Sequence, residues 1–105
     1  MIVVRVSMSI QRGKRSEAIK LLQERDRILE KQQVPKAARM YVRKLASPLS
    51  PEIIREYEFN NLDEYEKAWT KRMEPTPEAK KWSAKFDALV VPGSMGYEVY
   101  ELVES

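Results

Sequence analysis

Nine polar side chains stand at alternating positions of four extended-looking segments. Arg5 and Ser7 lie in the first, Arg39, Tyr41 and Arg43 in the second, Glu56 and Glu58 in the third, Glu98 and Tyr100 in the last. Residues two apart in a strand project from one face, so each set shares a side of its strand. The guanidinium forks of Arg5, Arg39 and Arg43 match the planar oxygens of a carboxylate, phosphate or enolate. The hydroxyls of Tyr41 and Tyr100 can donate to a developing oxyanion. Glu56, Glu58 or Glu98 is a candidate base wherever partial burial raises its pKa. A site joining all three types suits proton transfer beside a carbonyl, or oxygenation of an activated phenol without a cofactor. The same groups also have a plainer use, as Arg–Glu pairs that satisfy one another across strands and a subunit interface. Those arginines compete for any carboxylate oxygens that a divalent cation would need, so no metal site is expected.

Several chemistries are absent by composition. The chain contains no cysteine and no histidine. Disulfides, thiolate catalysis, histidine ligation of zinc or haem, and Ser-His or Cys-His pairs are thereby excluded. No cofactor is expected. The net charge is +3, with acidic and basic residues interspersed. Arg12, Lys14 and Arg15 read as a solvated loop and helix start, and nucleic acid is not an expected partner because no aromatic-basic motif accompanies them. The apolar beginning is interrupted by Arg5, Ser7 and Ser9, and no run approaches a membrane span. A soluble cytoplasmic protein is the expectation, with no membrane partner.

The elements that must position these residues follow from periodicity. Residues 1–10 alternate as a strand, with Val4, Val6, Met8 and Ile10 on one side. A helix is expected from about Lys14 to Gln33, burying Ala18, Leu21, Leu22, Ile28 and Leu29 and ended by Pro35. Ala38 to Ala46 returns to a period of two, with Met40 and Val42 opposite Arg39, Tyr41, Arg43 and Leu45. Ser47-Pro48-Leu49-Ser50-Pro51 reads as a turn, and Glu52 to Phe59 as the partner strand of a hairpin. Asn61 with Glu64 forms a capping-box pattern, followed by Leu62, Tyr65, Trp69 and Met73 as a helical apolar stripe. Thr76, Pro77 and Glu78 open a further helix carrying Trp82, Phe86 and Leu89. The last strand is expected from Ser94 to Val103.

A single domain over residues 1–105 accommodates this order as α+β: a ferredoxin-like βαββαβ chain with a four-stranded antiparallel sheet and its helices on one face. Val4, Val6, Met8, Met40, Val42, Tyr57, Phe59, Tyr97 and Val99 are expected to meet the helices. Trp69 and Trp82 are read as core rather than as stacking platforms. The opposite face mixes Val3, Ile54, Tyr41, Leu45, Tyr100 and Leu102 with Arg5, Ser7, Ser9, Arg39, Arg43, Glu56, Glu58 and Glu98. That mixture predicts cover by a second copy of the chain.

At Glu56-Tyr57-Glu58-Phe59-Asn60-Asn61-Leu62-Asp63-Glu64-Tyr65 the chain resembles the dimeric α/β barrel superfamily, which includes antibiotic-biosynthesis-monooxygenase-like and NIPSNAP-like domains. In those families an acidic-aromatic strand end often leads straight into a capped helix. Phe59 takes the aromatic place, Leu62 the helix-opening place and Tyr65 the next buried one. The resemblance implies the fold over the whole chain and a homodimeric α/β barrel. Monooxygenase-like members often carry a histidine a turn or so into that helix, where this chain reads Glu66-Lys67-Ala68-Trp69. The leading expectation is a small organic ligand in a cavity between sheet and helices, with Arg5, Ser7, Arg39, Tyr41, Arg43, Glu56, Glu58, Glu98 and Tyr100 as its contacts. A cofactor-independent monooxygenase and a non-catalytic interaction protein are the alternatives.

Overall fold

Alternating strand residues sort onto two faces of one sheet, and the helices cover only one of them. A computed structural model describes residues 1–45 and 50–104. In chain order the elements are β1 (Ile2–Met8), α1 (Arg15–Lys31), β2 (Arg39–Val42), β3 (Ile53–Phe59), α2 (Leu62–Arg72), α3 (Pro77–Asp87) and β4 (Gly96–Glu101). The sheet order is β2-β3-β1-β4, all neighbours antiparallel. This is the expected ferredoxin-like α+β arrangement, with α2 and α3 together filling the second helical place. Among the described residues no helix is long and apolar enough to cross a membrane.

Register decides which side chains meet. Val4 faces Tyr57 on one side and Val99 on the other, and Val6 faces Arg55 and Tyr97. This inner face packs against the helices in two clusters. Met8 and Ile53 meet Ala18, Leu22 and Phe86, while Ile2, Val4, Tyr57 and Phe59 meet Tyr65, Ala68 and Trp69. Full burial of an aliphatic side chain such as Val4, Ile53 or Leu29 contributes about 2–3 kcal/mol.

The helix boundaries have local causes. The Asn61 side chain accepts from the Glu64 amide at 2.9 Å, and Glu64 returns a bond to the Asn60 amide, closing a capping box shifted by one residue. Thr76 caps α3 through the Ala79 amide, with Pro77 in its first turn. The first helix ends earlier than Pro35 suggested. Gln33 adopts φ +58°, and the amides of Gln32, Gln33 and Val34 return to the carbonyls of Ile28, Leu29 and Glu30. A left-handed residue closes the helix, although it is glutamine rather than glycine.

Three expectations on packing need correction. The inner face is not wholly apolar, because Arg55 occupies it between Ile53 and Tyr57 and is 2% exposed. Val42 and Val99 lie in the two edge strands and stay exposed, as does Tyr97, although its ring meets Trp69 of α2. Leu62 and Met73 are exposed at the two ends of α2, so its packed stripe shrinks to the half-buried Tyr65, Ala68 and Trp69. β4 is also shorter than Ser94 to Val103. Ser94 instead closes a turn, its hydroxyl accepting from the Ser9 amide and donating to the Val91 carbonyl. Of the expected turn after β2, residues 47–49 lie outside the described residues, as does Ala46.

Candidate functional site

The outer face carries the residues that sequence alone singled out. β3 lies between β1 and β2, and the register sets Arg5 and Arg39 on either side of Glu56. Arg5 Nε donates to Glu56 Oε2 at 2.9 Å, and Arg39 Nη1 donates to Glu56 Oε1 and, at 2.6 Å, to Glu58 Oε1. Burial alone pushes the Glu56 carboxyl up, but Arg39 and Arg5 together outweigh it and hold the group below its ordinary value. Glu56 is therefore a clamped carboxylate rather than a poised base. The same two bonds to carboxylates raise the Arg39 pKa further.

The remaining predicted residues are dispersed. The Tyr100 hydroxyl bonds Glu98, and the Arg5 guanidinium lies 5.8 Å from the Tyr100 ring centroid. Arg43 donates to the Ser50 carbonyl at 2.8 Å, off the end of β2. Tyr41 stands exposed opposite Ile54. Ser7 faces Gly96, where a Cβ would come within 2.5 Å of its hydroxyl oxygen, so the glycine permits this close strand approach. Arg5 and Tyr100 share a shallow recess with Val3, Leu102 and Val103. None of the nine lines a chamber between sheet and helices. The reason is the period of two, which sends them all to the side away from the helices.

Such a chamber does exist on the inner face, with a volume of about 250 Å³. Its apolar floor is formed by Val6 and Met8 of β1, Leu22 of α1 and Phe86 of α3. Tyr57, Trp69, Trp82 and Tyr97 supply aromatic walls, and the exposed Met73, Met95 and Tyr97 mark its mouth. Trp69 contacts Tyr57 edge-on, with centroids 5.2 Å apart, and lies 5.4 Å from Tyr97. Trp82 stacks on Phe86 and donates its indole N–H to the Leu21 carbonyl. Both tryptophans thus belong to the core, as expected, and also line the cavity. The Tyr97 hydroxyl bonds that of Tyr65, and burial together with this bond pushes the Tyr97 pKa up.

Three arginines gather at the polar wall, one from each of three elements. Arg55 of β3 pairs with Asp26 of α1 and lies 5.5 Å from the Tyr57 centroid. Arg72, in the last turn of α2, lies 4.9 Å from the Tyr57 centroid and 5.0 Å from that of Trp69. Arg25 of α1 stands behind them, 5.6 Å from the Trp82 centroid, and donates to the Arg72 carbonyl at 3.1 Å. Arg25 is 7% exposed. Burial, and then the neighbouring guanidinium of Arg72, lowers the Arg25 pKa; burial with the charge of Arg55 lowers that of Arg72 too, partly offset by the adjacent Tyr57 hydroxyl. Arginine nevertheless stays protonated at neutral pH. Three buried polar atoms of this cluster have no partner among the described residues: Arg25 Nη1, Arg72 Nη1 and the Tyr57 hydroxyl.

Sequence reasoning passed over these residues, although they left a trace. Arg55 is in phase with Ile53, Tyr57 and Phe59 on a strand. Arg25 follows Leu22 by three and precedes Ile28 by three, and Arg72 follows Trp69 by three, each on an apolar helical stripe. A charge in register with buried positions marks a core guanidinium. Which partners it meets is a long-range question that periodicity does not address.

No protein-family model and no curated protein matches this chain. Solved structures do share its fold. A NIPSNAP domain protein from Burkholderia xenovorans aligns with TM-score 0.78 at 10% identity, covering 98% of this chain and 95% of that one. A protein from Agrobacterium tumefaciens aligns with TM-score 0.77 at 13% identity, over 98% and 94% of the two chains. A Chloroflexus aurantiacus protein, provisionally named an antibiotic biosynthesis monooxygenase, aligns with TM-score 0.52 at 14% identity over 100% and 96%. Identities this low establish a common ferredoxin-like fold with the NIPSNAP-like and monooxygenase-like structures, and no shared activity.

Proposed function

We propose that this chain binds a small, largely aromatic organic molecule in the chamber between its sheet and helices. The observation that carries this reading is the wall itself: Tyr57, Trp69, Trp82 and Tyr97 surround about 250 Å³ of space, and two of the lining residues, Tyr57 and Arg72, each carry an unpartnered polar atom. Ligand sites have this composition, with apolar walls and a few convergent polar groups, and a volume just under the usual range suits one or two fused rings. Binding is favoured over oxygenation or proton abstraction by the identity of the lining. Its one carboxylate, Asp87, is exposed, and no other lining group is suited to take a proton.

The outer face has a separate part in the proposal. Tyr41, Tyr100 and Leu102 are each about half exposed beside the Arg5–Glu56–Arg39–Glu58 row. A second copy of the sheet would cover the apolar groups and extend the charge pairing, giving a homodimer of two barrels' halves. A cytoplasmic location accompanies this reading. Membranes and nucleic acid are not among the partners proposed.

The test for ligand binding uses the chain's own tryptophans, both of which line the chamber. Titration with naphthalene-sized compounds should quench intrinsic fluorescence saturably and raise the melting temperature. Val6→Phe, which fills the floor, should abolish both effects while leaving the circular dichroism spectrum unchanged. Saturable quenching that persists in Val6→Phe would place the ligand elsewhere and end the proposal. Native mass spectrometry reads the subunit number, and a monomer at micromolar concentration would remove the dimer.

A further inference from the structure

We infer that the ligand is an aromatic anion, a planar ring bearing a carboxylate, whose charge is held by Arg72 and the Tyr57 hydroxyl with Arg25 behind. This deepens the proposed binding function and rests on it. The argument is one of charge and unmet hydrogen bonds. Arg25, Arg55 and Arg72 bring three positive charges to one end of the chamber, and a single carboxylate, Asp26, answers them. Asp26 is committed to Arg55. Asp87, at the edge, forms no ion pair with any of the three among the described residues.

A buried cation without a counter-charge is strongly unfavourable, because desolvation costs several kcal/mol per ion. Part of that is offset here. The rings of Tyr57 and Trp69 face Arg72, and Trp82 faces Arg25, and such contacts strengthen when desolvated. The Arg72 carbonyl at the end of α2 accepts one bond from Arg25. What these contacts leave over is specific: one N–H-bearing nitrogen on each of Arg25 and Arg72, and a phenolic O–H on a residue 1% exposed. All three unmet groups can donate, and arginine nitrogens can do nothing else. A group with two acceptor oxygens and a negative charge is their natural complement, since charge-assisted bonds to guanidinium are about twice as strong as neutral ones.

The aromatic part of the ligand follows from the remainder of the wall. Trp69 and Tyr97 flank the space beside Arg72, and Val6, Met8 and Phe86 close it below. An inorganic anion alone would meet the cations but leave these surfaces without contact. A neutral aromatic would fill the walls and leave the cations uncompensated. A carboxylate on a ring system does both.

The experiment compares 2-naphthoate with 2-naphthamide, which share size and shape and differ in charge. Tryptophan quenching and calorimetry at neutral pH should show the acid binding at least tenfold more tightly than the amide. Arg72→Met, which keeps length and bulk, should reduce that preference to threefold or less with little change for the amide. Tyr57→Phe keeps the ring and should cut the preference severalfold, providing a second reading should Arg72→Met fold poorly. An amide that binds as tightly as the acid, with Val6→Phe still abolishing both, would overturn the charge assignment and leave the binding function standing. Failure of both compounds to bind would overturn the two together. Inorganic phosphate displacing naphthoate at a comparable concentration would mean a simple anion site and reject the aromatic half of the inference. A tenfold preference untouched by either substitution would reject Arg72 and Tyr57 as its source.

Discussion

The two faces of the sheet treat arginine in opposite ways. On the outer face Arg5 and Arg39, each about half exposed, hold Glu56 from both sides, and Arg39 also reaches Glu58. Carboxylates there match guanidiniums, water screens the remainder, and Glu56 can be buried at 4% exposure because both its oxygens are bonded. On the inner face three guanidiniums share one carboxylate and lean on aromatic rings instead. The outer row is electrically complete within the chain, so it suits a surface that fixes strand register. The inner cluster is incomplete, and an incomplete charge set beside a cavity is the usual mark of a site that takes a ligand.

This contrast can be broken at its most demanding point. Asp26→Ala removes the one carboxylate paired with the inner cluster among the described residues and leaves Arg55, at 2% exposure, uncompensated. Urea unfolding should show a loss of about 2–4 kcal/mol, the larger end applying to fully buried pairs and the partial exposure of Asp26 reducing it. Addition of 2-naphthoate should recover part of that loss. If Asp26→Ala is neutral without ligand, the inner cluster is not short of negative charge and the comparison fails.

A smaller effect is expected outside. Glu56→Gln leaves Arg5 and Arg39 half solvated and should cost about 1–2 kcal/mol. Its pH dependence gives a sharper reading. The folded-state pKa of Glu56 is lowered, so its contribution is complete above the ordinary glutamate value near 4.5 and is lost as pH falls below it. Stability of the parent chain should therefore decline below about pH 4.5, and more steeply than that of Glu56→Gln. Equal slopes would mean that the clamp does not hold the carboxylate ionised.

Removing a cation should have opposite consequences on the two sides. Arg25→Met deletes one uncompensated charge and one bond to the Arg72 carbonyl, and should be neutral or stabilising by about 1 kcal/mol. Arg39→Met should destabilise, by about 1 kcal/mol, because Glu56 loses a partner. Thermal denaturation of the two variants side by side measures the asymmetry directly. The smallest change is a control remote from both faces: Gln33→Gly relieves the positive φ and should stabilise by about 0.5 kcal/mol, once the added freedom of the unfolded chain is subtracted.

Legibility in the sequence tracked the range of the interactions involved. The caps at Asn61 and Thr76 were readable because each is a bond across three residues. The sorting of Arg5, Glu56 and Tyr100 onto one face was readable because strand geometry has a period of two. Exposure of Leu62, Val42 and Val99 was not readable, since it depends on how far the helices and the edge strands cover one another. The left-handed Gln33 was hidden for another reason. Glutamine carries no turn signal, and the chain accepts its strain to bring Val34 into the core.

By itself the sequence determined the fold class, the two-sided strands and the absence of thiol and imidazole chemistry, because these depend on residue identity and on spacing of four residues or fewer. Only the tertiary structure decided which arginines matter. Arg25, Arg55 and Arg72 lie 17 to 47 residues apart and come together where α1, β3 and α2 converge on Tyr57. Their significance lies in a local imbalance of charge. Such an imbalance is a property of distances in space, to which a chain that is near neutral on average gives no clue.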